Sequence, residues 1–325
     1  MGSFVDSLSY NRIVSFMLLP ISAVIATRDR APILSRALAS VSAQGAQPRE
    51  ILVVDASDND ATRAVCDQPP ADLASELSYV SASMTGAAVQ RNEGVARASQ
   101  PFILFMDDDV LLEPGCLERL WRALESDKRN GGVNALISNQ SYVRPGGLTR
   151  ILFRALHGRA ETSYAGRCLG PAMNLLPENR DSLPEVVPVE WLNLGCTLYR
   201  REALPKPAFL DRFKGYSLME DLALSLDVGK RGWKLANVRT ARVFHDSQPG
   251  EHKSSSFALG RMELANRHYI MRHMLEKRRP SDYAKLALLE TFFLVSALFN
   301  RRTWRTFPAV LAGKAAGVLD ILSGR

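Results

Sequence analysis

Three aspartates, Asp107, Asp108 and Asp109, stand side by side directly after the apolar run 102–106. Adjacent carboxylates repel one another, so the cluster is costly wherever water is even partly excluded. A divalent cation removes that cost. Hard ions such as Mg²⁺ and Mn²⁺ favour carboxylate oxygens and share their remaining positions between water and phosphate oxygens. Asp107 and Asp109, one residue apart, can address one ion together with its ligand. The ordinary alternative is a solvated acidic turn before the helical "LLEPGCLERL", where the helix dipole favours negative charge. A second acidic pair, Glu220 and Asp221, opens the helical pattern "LALSLDVGKRG", and the same dipole argument applies there.

The elements that must hold these acids are readable in the first half of the chain. Residues 21–26 form a short Val- and Ile-containing run that predicts a strand. Pro32 opens a helical pattern in "APILSRALASVSAQ", with Ile33, Leu34, Ala37, Leu38 and Val41 on one face. "EILVVDAS" predicts a second strand, "DNDATRAVCDQ" a helix start, "LSYVSAS" a third strand, "GAAVQRNEGVARAS" a third helix and "PFILFM" a fourth strand. Such alternation predicts an α/β fold, with a mostly parallel sheet covered by helices on both faces. Ligands of these sheets bind beyond the carboxyl ends of the strands. Asp55 ends the second strand and residues 107–109 end the fourth, so the acids gather on that rim. Residues 144–188 are punctuated by Pro and Gly and read as loop-rich. Order returns at "VEWLNLGCTLYRREAL", "SLMEDLALSLDVGKRGWKL" and "TARVFHDSQPG". From residue 254 the pattern is helical almost to the end.

A chain of 325 residues with 46% apolar and 23% charged residues is globular, and suits two domains or one large domain with an extension. Its four cysteines, Cys66, Cys116, Cys168 and Cys196, form no CxxC and no zinc-like Cys/His spacing. They are expected as reduced thiols in a cytoplasmic protein. Apolar residues 13–19 are preceded by a single Arg12 and lead into a strand, so no secretory signal is expected. No uncharged apolar run reaches the roughly 18 residues of a spanning helix.

Seven stretches arrive in the order and spacing of one family: "SAVIATRDRAPILSRALASVSAQ", "EILVVDASDNDAT", "GAAVQRNEGVARAS", "FILFMDDDV", "NLGCTLYRREAL", "MEDLALSLDVGKRGWKL" and "VFHDS". Over residues 21–247 the chain resembles the family-2 glycosyltransferases of GT-A fold. The resemblance implies a Rossmann-like mixed, mostly parallel sheet. It implies a catalytic domain over 1–250, with a nucleotide-sugar-binding half at 21–130 and an acceptor-binding half at 131–250, followed by a basic helical extension at 251–325. It also implies a nucleoside-diphosphate-sugar donor, Mn²⁺ or Mg²⁺, and inverting transfer of a hexosyl or deoxyhexosyl group to a hydroxyl of a saccharide or lipid-linked acceptor.

By position, the resemblance places Thr27 and Arg28 along the nucleoside, Asp55 on the base, and Arg91 with Asn92 near the nucleotide. Asp107, Asp108 and Asp109 form the DXD motif, with Asp109 the surer metal ligand and Asp107 its partner. Asp221, with Glu220 as its substitute, matches the catalytic base, which an inverting displacement needs on the acceptor side. His245 matches a late-strand histidine that completes metal coordination in such enzymes, and imidazole suits Mn²⁺. Trp191 and Gly195 lie in the segment that faces donor and acceptor, although a buried Trp is more often core. The chain departs from the family pattern at Ala56, Ala223 and Asp227, where the family often has acids at the first two and arginine at the third. A sugar-phosphate nucleotidyltransferase wants a glycine-rich loop after the first strand, and "ATRDRAP" has no glycine. An inactive nucleotide-binding relative is disfavoured by intact Asp109 and Asp221.

The net charge of +7 is confined to the tail: residues 261–325 hold 12 Lys/Arg and 5 Asp/Glu, and the rest holds 29 of each. With no nucleic-acid module or stacked aromatic platform, no nucleic-acid partner is expected. Apolar stripes flanked by basic residues and Trp304 suit a helix lying on an anionic membrane surface at its cytoplasmic face. Packing of the same helices against the catalytic domain is the alternative.

Overall fold

The computed structural model describes residues 16–213, 215, 217–247, 255–299 and 303–323. The first half builds as the alternation predicts. Strand β1 (Met17–Thr27) leads to helix α1 (Ala31–Ser42), β2 (Ala46–Asp55) to α2 (Ala61–Asp67), β3 (Glu76–Ser81) to α3 (Ala87–Arg97), and β4 (Phe102–Asp107) to the short β5 (Val110–Leu112) and α4 (Cys116–Glu125). Strand β6 (Asn130–Ile137), helix α5 (Gly147–His157) and the small pair β7 (Cys168–Leu169) and β8 (Met173–Asn174) follow. Then come β9 (Val186–Pro188), β10 (Cys196–Arg200), α6 (Glu220–Lys230) and β11 (Lys234–His245).

One sheet runs in the order β3-β2-β1-β4-β10-β6-β11-β5, with β9 on β11. Strands β3, β2, β1 and β4 are mutually parallel, and β6 is parallel to β11. Strand β10 enters antiparallel between β4 and β6, so the sheet is mixed. Residues 138–195 therefore leave the sheet from β6, touch it through β9 on β11, and rejoin it at β10 beside β6.

Strand residues alternate between two cores, the period-2 signature of a sheet covered on both faces. From β1 and β4, Ile21, Ala23, Ile25, Leu104 and Met106 join α1, α2 and α4. Val24, Ile103 and Phe105 join α3 and α6. Each fully buried Leu, Ile or Phe contributes about 1.5–3 kcal/mol. Helix α1 buries Leu34, Ala37, Leu38 and Val41 as expected, whereas Ile33 is only half-buried. Helix α3 lies so close to β1 that a Cβ at Gly94 would stand 2.3 Å from Val24 Cγ1. That contact fixes the depth of the face carrying Gln90 and Arg91.

The tail packs on the part of the chain that precedes it. Helix α7 (Ser256–Tyr269) runs into a π turn over 270–274, and α8 (Pro280–Phe299) and α9 (Phe307–Ser323) follow. Asn266 Nδ2 donates to Leu218 O at 2.7 Å, Arg267 Nη1 to Ala172 O at 3.0 Å and Lys277 Nζ to Gly170 O at 2.6 Å. Leu289, Phe292 and Phe293 of α8 pack against Leu152, Phe153 and Leu156 of α5. Helices α7 and α9 cross at glycines: a Cβ at Gly313 would meet Phe257 O at 2.1 Å. Among the described residues no helix is long and apolar enough to cross a membrane.

Candidate functional site

The register of the parallel strands sets Thr27 opposite Asp55 and Ala26 opposite Asp107. Three strand ends thus finish in one row. Gln90 stitches two of them, its Nε2 donating to Thr27 O and Val54 O, both at 2.8 Å. Asp55 is buried and committed internally: Oδ1 accepts from Ser57 N and Oγ at 3.1 and 2.6 Å, and Oδ2 from Tyr79 OH at 3.3 Å.

The three adjacent aspartates take three different environments. Asp108 points inward, accepting from Thr27 Oγ1 at 2.6 Å and from Arg30 Nη1 at 2.7 Å. Burial pushes its carboxyl up to about 6, against the pull of Thr27 and Arg30. Asp109 is also buried. Its Oδ1 lies 3.2 Å from His245 Nε2, and its Oδ2 lies 3.3 Å from Arg30 Nη1. Asp107 is half-buried and held by Arg91, Nη2 to Oδ1 at 2.8 Å, while its N–H donates to Gly195 O at 3.0 Å. Gly195 thus supports Asp107 through its backbone.

Arg91 is the link between the two acidic motifs. Its Nη1 reaches Glu220 Oε1 at 2.8 Å while Nη2 holds Asp107. Burial works against the Arg91 charge, and Asp107 and Glu220 more than restore it, so its pKa is raised. Glu220 and Asp221 occupy the first turn of α6 as the sequence predicts. Just before them Ser217 and Met219 adopt left-handed conformations with φ 58° and 73°, each costing on the order of 1–3 kcal/mol. Ser217 Oγ offsets part of that, accepting from Ala88 N at 3.3 Å and donating to Phe213 O at 3.0 Å. Burial raises both carboxyls of the pair, with Arg91 opposing the rise and, for Glu220, the charge of Asp221 adding to it. Asp221 Oδ1 accepts from Leu222 N at 2.7 Å.

The remaining expected residues are placed as follows. Arg28 is exposed and pairs with its neighbour Asp29 at 3.2 Å. Arg30, two residues on, is the arginine that reaches the aspartates. Asn92 faces a loop, exchanging hydrogen bonds with Phe209 O and N at 2.8 and 2.9 Å. Trp191 is buried in the core and donates Nε1 to Leu175 O at 2.8 Å, so its ring presents no open face for a sugar. Of the three expected metal ligands, Asp107 is engaged by Arg91, and Asp109 lies between Arg30 and His245. Among the described residues no group of three or more His, Cys, Asp or Glu is arranged to hold a cation.

The pair of Asp109 Oδ1 and His245 Nε2 does supply an oxygen and an imidazole nitrogen facing one another. Gln140 Nε2 lies 2.8 Å from His245 Nδ1. Turning the Gln140 amide lets Nδ1 donate to its oxygen and frees the Nε2 lone pair for a cation. This donor set fits an ion completed by substrate oxygens and water, as Mg²⁺ commonly is, rather than an all-protein cage.

The family model described as glycosyl transferase family 2 matches residues 22–168. An N-acetylglucosaminyl-diphospho-decaprenol L-rhamnosyltransferase of Mycobacterium tuberculosis is 27% identical over 273 residues, covering 77% of this chain and 85% of that protein. An uncharacterised glycosyltransferase of Bacillus subtilis, YwdF, is 36% identical over 109 residues, 33% of this chain and 38% of that protein. Among solved structures, the mannosyltransferase PcManGT of Pyrobaculum calidifontis, in complex with GDP-Man and Mn²⁺, superposes with a TM-score of 0.52. The superposition covers 93% of this chain and 87% of that one at 14% identity, a likeness of fold.

Proposed function

We propose that this chain, which is a family-2 glycosyltransferase, moves a sugar from a nucleoside-diphosphate donor to a hydroxyl of a lipid-linked saccharide, with inversion at the anomeric carbon. The observation that carries the reading is the buried Arg91, which joins the aspartates at the strand ends to the acidic pair opening α6. In this reading a donor-side and an acceptor-side acidic group stand on either side of one guanidinium. In this reading residues 21–130 hold the donor, 131–250 the acceptor, and 251–325 form an extension. The rhamnosyltransferase relative, named for an N-acetylglucosaminyl-diphospho-decaprenol acceptor, supports a deoxyhexose donor and a lipid diphosphate acceptor.

Asp109 and His245 would hold a divalent cation, Mn²⁺ or Mg²⁺, which supplies charge neutralisation for the departing diphosphate. Asp221 takes the acceptor hydroxyl's proton as the new bond forms. Its raised pKa improves it as a base near neutrality. Glu220, held by Arg91, orients the first turn of α6. Arg30 keeps Asp108 and Asp109 from repelling one another.

The test is calorimetry of nucleoside-diphosphate binding with and without Mn²⁺, comparing the unaltered chain with Asp109→Ala. Metal-dependent affinity should be lost in the folded variant. Unchanged metal-dependent affinity would remove Asp109 from the cation site.

A further inference from the structure

Helices α8 and α9 are built inside out. In a helix lying on a soluble protein the charged residues face water and the apolar stripe faces the core. Here the charges turn inward. Glu290 of α8 and Lys314 of α9 are buried and paired with one another, and Lys314 also reaches Glu263 of α7 at 3.0 Å. Arg267 of α7, likewise buried, pairs with Glu263 and Glu290. Lys285 donates to Leu156 O at 3.2 Å, and Asp320 is tied to Arg261.

The outward faces hold what a core would normally take. On α8 they carry Leu288, Thr291, Val295, Leu298 and Phe299, the last 81% exposed. On α9 they carry Leu311, Ala315, Val318, Leu319 and Leu322 at helical spacing, Leu322 being 78% exposed. Helix α5, packed against α8, repeats the pattern with Leu148, Ile151 and Ala155. Apolar faces of this extent on adjacent helices mark an interaction surface.

Charge selects the occupant. The exposed charged residues on α5, α8 and α9 are Arg150 and Arg154, and Arg305 and Trp304 stand exposed in the turn between α8 and α9. None of the exposed residues of these three helices is a carboxylate. A second copy would set arginine against arginine with no acid to pair them. An anionic lipid surface supplies the missing charge, and Trp belongs at that boundary. Among the described residues no helix is both long and apolar enough to span, and these helices suit a position within the interface plane.

We infer that α5, α8 and α9 form a docking face for an anionic bilayer, with their outward apolar residues among the acyl chains and Arg150, Arg154 and Arg305 at the headgroups. This deepens the proposed lipid-linked acceptor, since docking would hold the transfer site beside the membrane in which such an acceptor is anchored.

The experiment is sedimentation of the full chain with vesicles of phosphatidylcholine alone and of phosphatidylcholine mixed with phosphatidylglycerol. Binding should be strong only to the mixed vesicles and should fall as salt is raised. Arg150→Gln/Arg154→Gln/Arg305→Gln should weaken it about a hundredfold, at about fivefold per arginine. Leu319→Asp/Leu322→Asp, at exposed positions, should weaken it by at least about tenfold. Transfer to a water-soluble acceptor should be unchanged in Leu319→Asp/Leu322→Asp, which separates this inference from the proposed chemistry. Equal sedimentation of all three forms, or no sedimentation of the unaltered chain, overturns the proposal. So does a dimer in vesicle-free solution that Leu319→Asp/Leu322→Asp converts to monomer, because the occupant is then a second copy.

Discussion

Replacing Arg91 by Met keeps most of the side-chain length and removes the guanidinium from between two carboxylates. Glu220, with a side chain 12% exposed, loses its cationic partner, and so does Asp107, 34% exposed. Breaking a buried pair by deleting one partner costs about 3–5 kcal/mol. Asp107 is wet enough that its share falls toward the roughly 0–1 kcal/mol of an exposed pair, so Glu220 dominates. Glu220 has an escape, because it can take up a proton. Its carboxyl is already raised by burial, with Arg91 pulling it down, and without Arg91 it rises further. In the unfolded chain it titrates near its ordinary value of about 4.3. A carboxyl raised in the folded state makes that state bind more protons, so the stability it supports is full below the unfolded pKa and is lost as pH rises through the folded pKa. Arg91→Met should therefore cost about 3 kcal/mol in alkaline solution, and the deficit should shrink as the solution is made acidic. Urea unfolding of both proteins across that pH range, with the slope checked for constancy, measures it. A deficit that does not change with pH, or no deficit, would refute the claim that Glu220 is a desolvated acid held charged by Arg91.

Asp221→Asn should reduce turnover by about 10²–10⁴-fold while nucleotide affinity holds, as read by steady-state kinetics beside calorimetry. If Glu220→Gln alone loses turnover, the base is the preceding residue. The acid limb of the turnover profile should lie above the ordinary aspartate range, because burial raises Asp221 and the base works only when deprotonated. Gly94→Ala should destabilise by about 1–3 kcal/mol through overpacking, because the added Cβ would stand 2.3 Å from Val24 Cγ1. Thermal or urea unfolding measures that loss, and a neutral result would mean α3 can move away from β1.

The half of the site resting on repeated strand–helix units was readable from the sequence, because apolar period and strand-end position are local properties. Asp55, Asp107 and the Glu220–Asp221 turn all lie where pattern places them. What the sequence hid depends on direction rather than position. Arg28 and Arg30 are equivalent in composition, and only the turn after β1, with Asp29 at φ 54°, sends one outward and the other onto Asp108. Asn92 adjoins Arg91 yet lies on another side of α3, facing Phe209. The antiparallel entry of β10 depends on pairing distant in sequence, and five residues of strand carry no sign of orientation. The loop-rich reading of 144–188 missed α5, whose Gly146 and Gly147 suggest a turn while its burial is settled by α8, more than a hundred residues later. The tail resisted a single reading because both alternatives describe part of it: α7 to α9 pack on the preceding part of the chain and leave apolar faces outward.

The excursion from β6 to β10 has a consequence for how such a protein can change. Residues 138–195 depart and return on adjacent strands, whose backbones lie about 5 Å apart, and meet the sheet in between at the three-residue β9, on β11. Doubling the length of a flexible connection with fixed ends costs only about 0.6 kcal/mol. The stretch between β6 and β9, residues 138–185, can therefore lengthen or shorten at its loops while the strand ends carrying Asp55 and Asp107 stay in register. Because α5 rides on the same stretch, one exchange would alter both the loops around it and the apolar face beside α8. Inheritance can thus pass the two on together, as a single cassette.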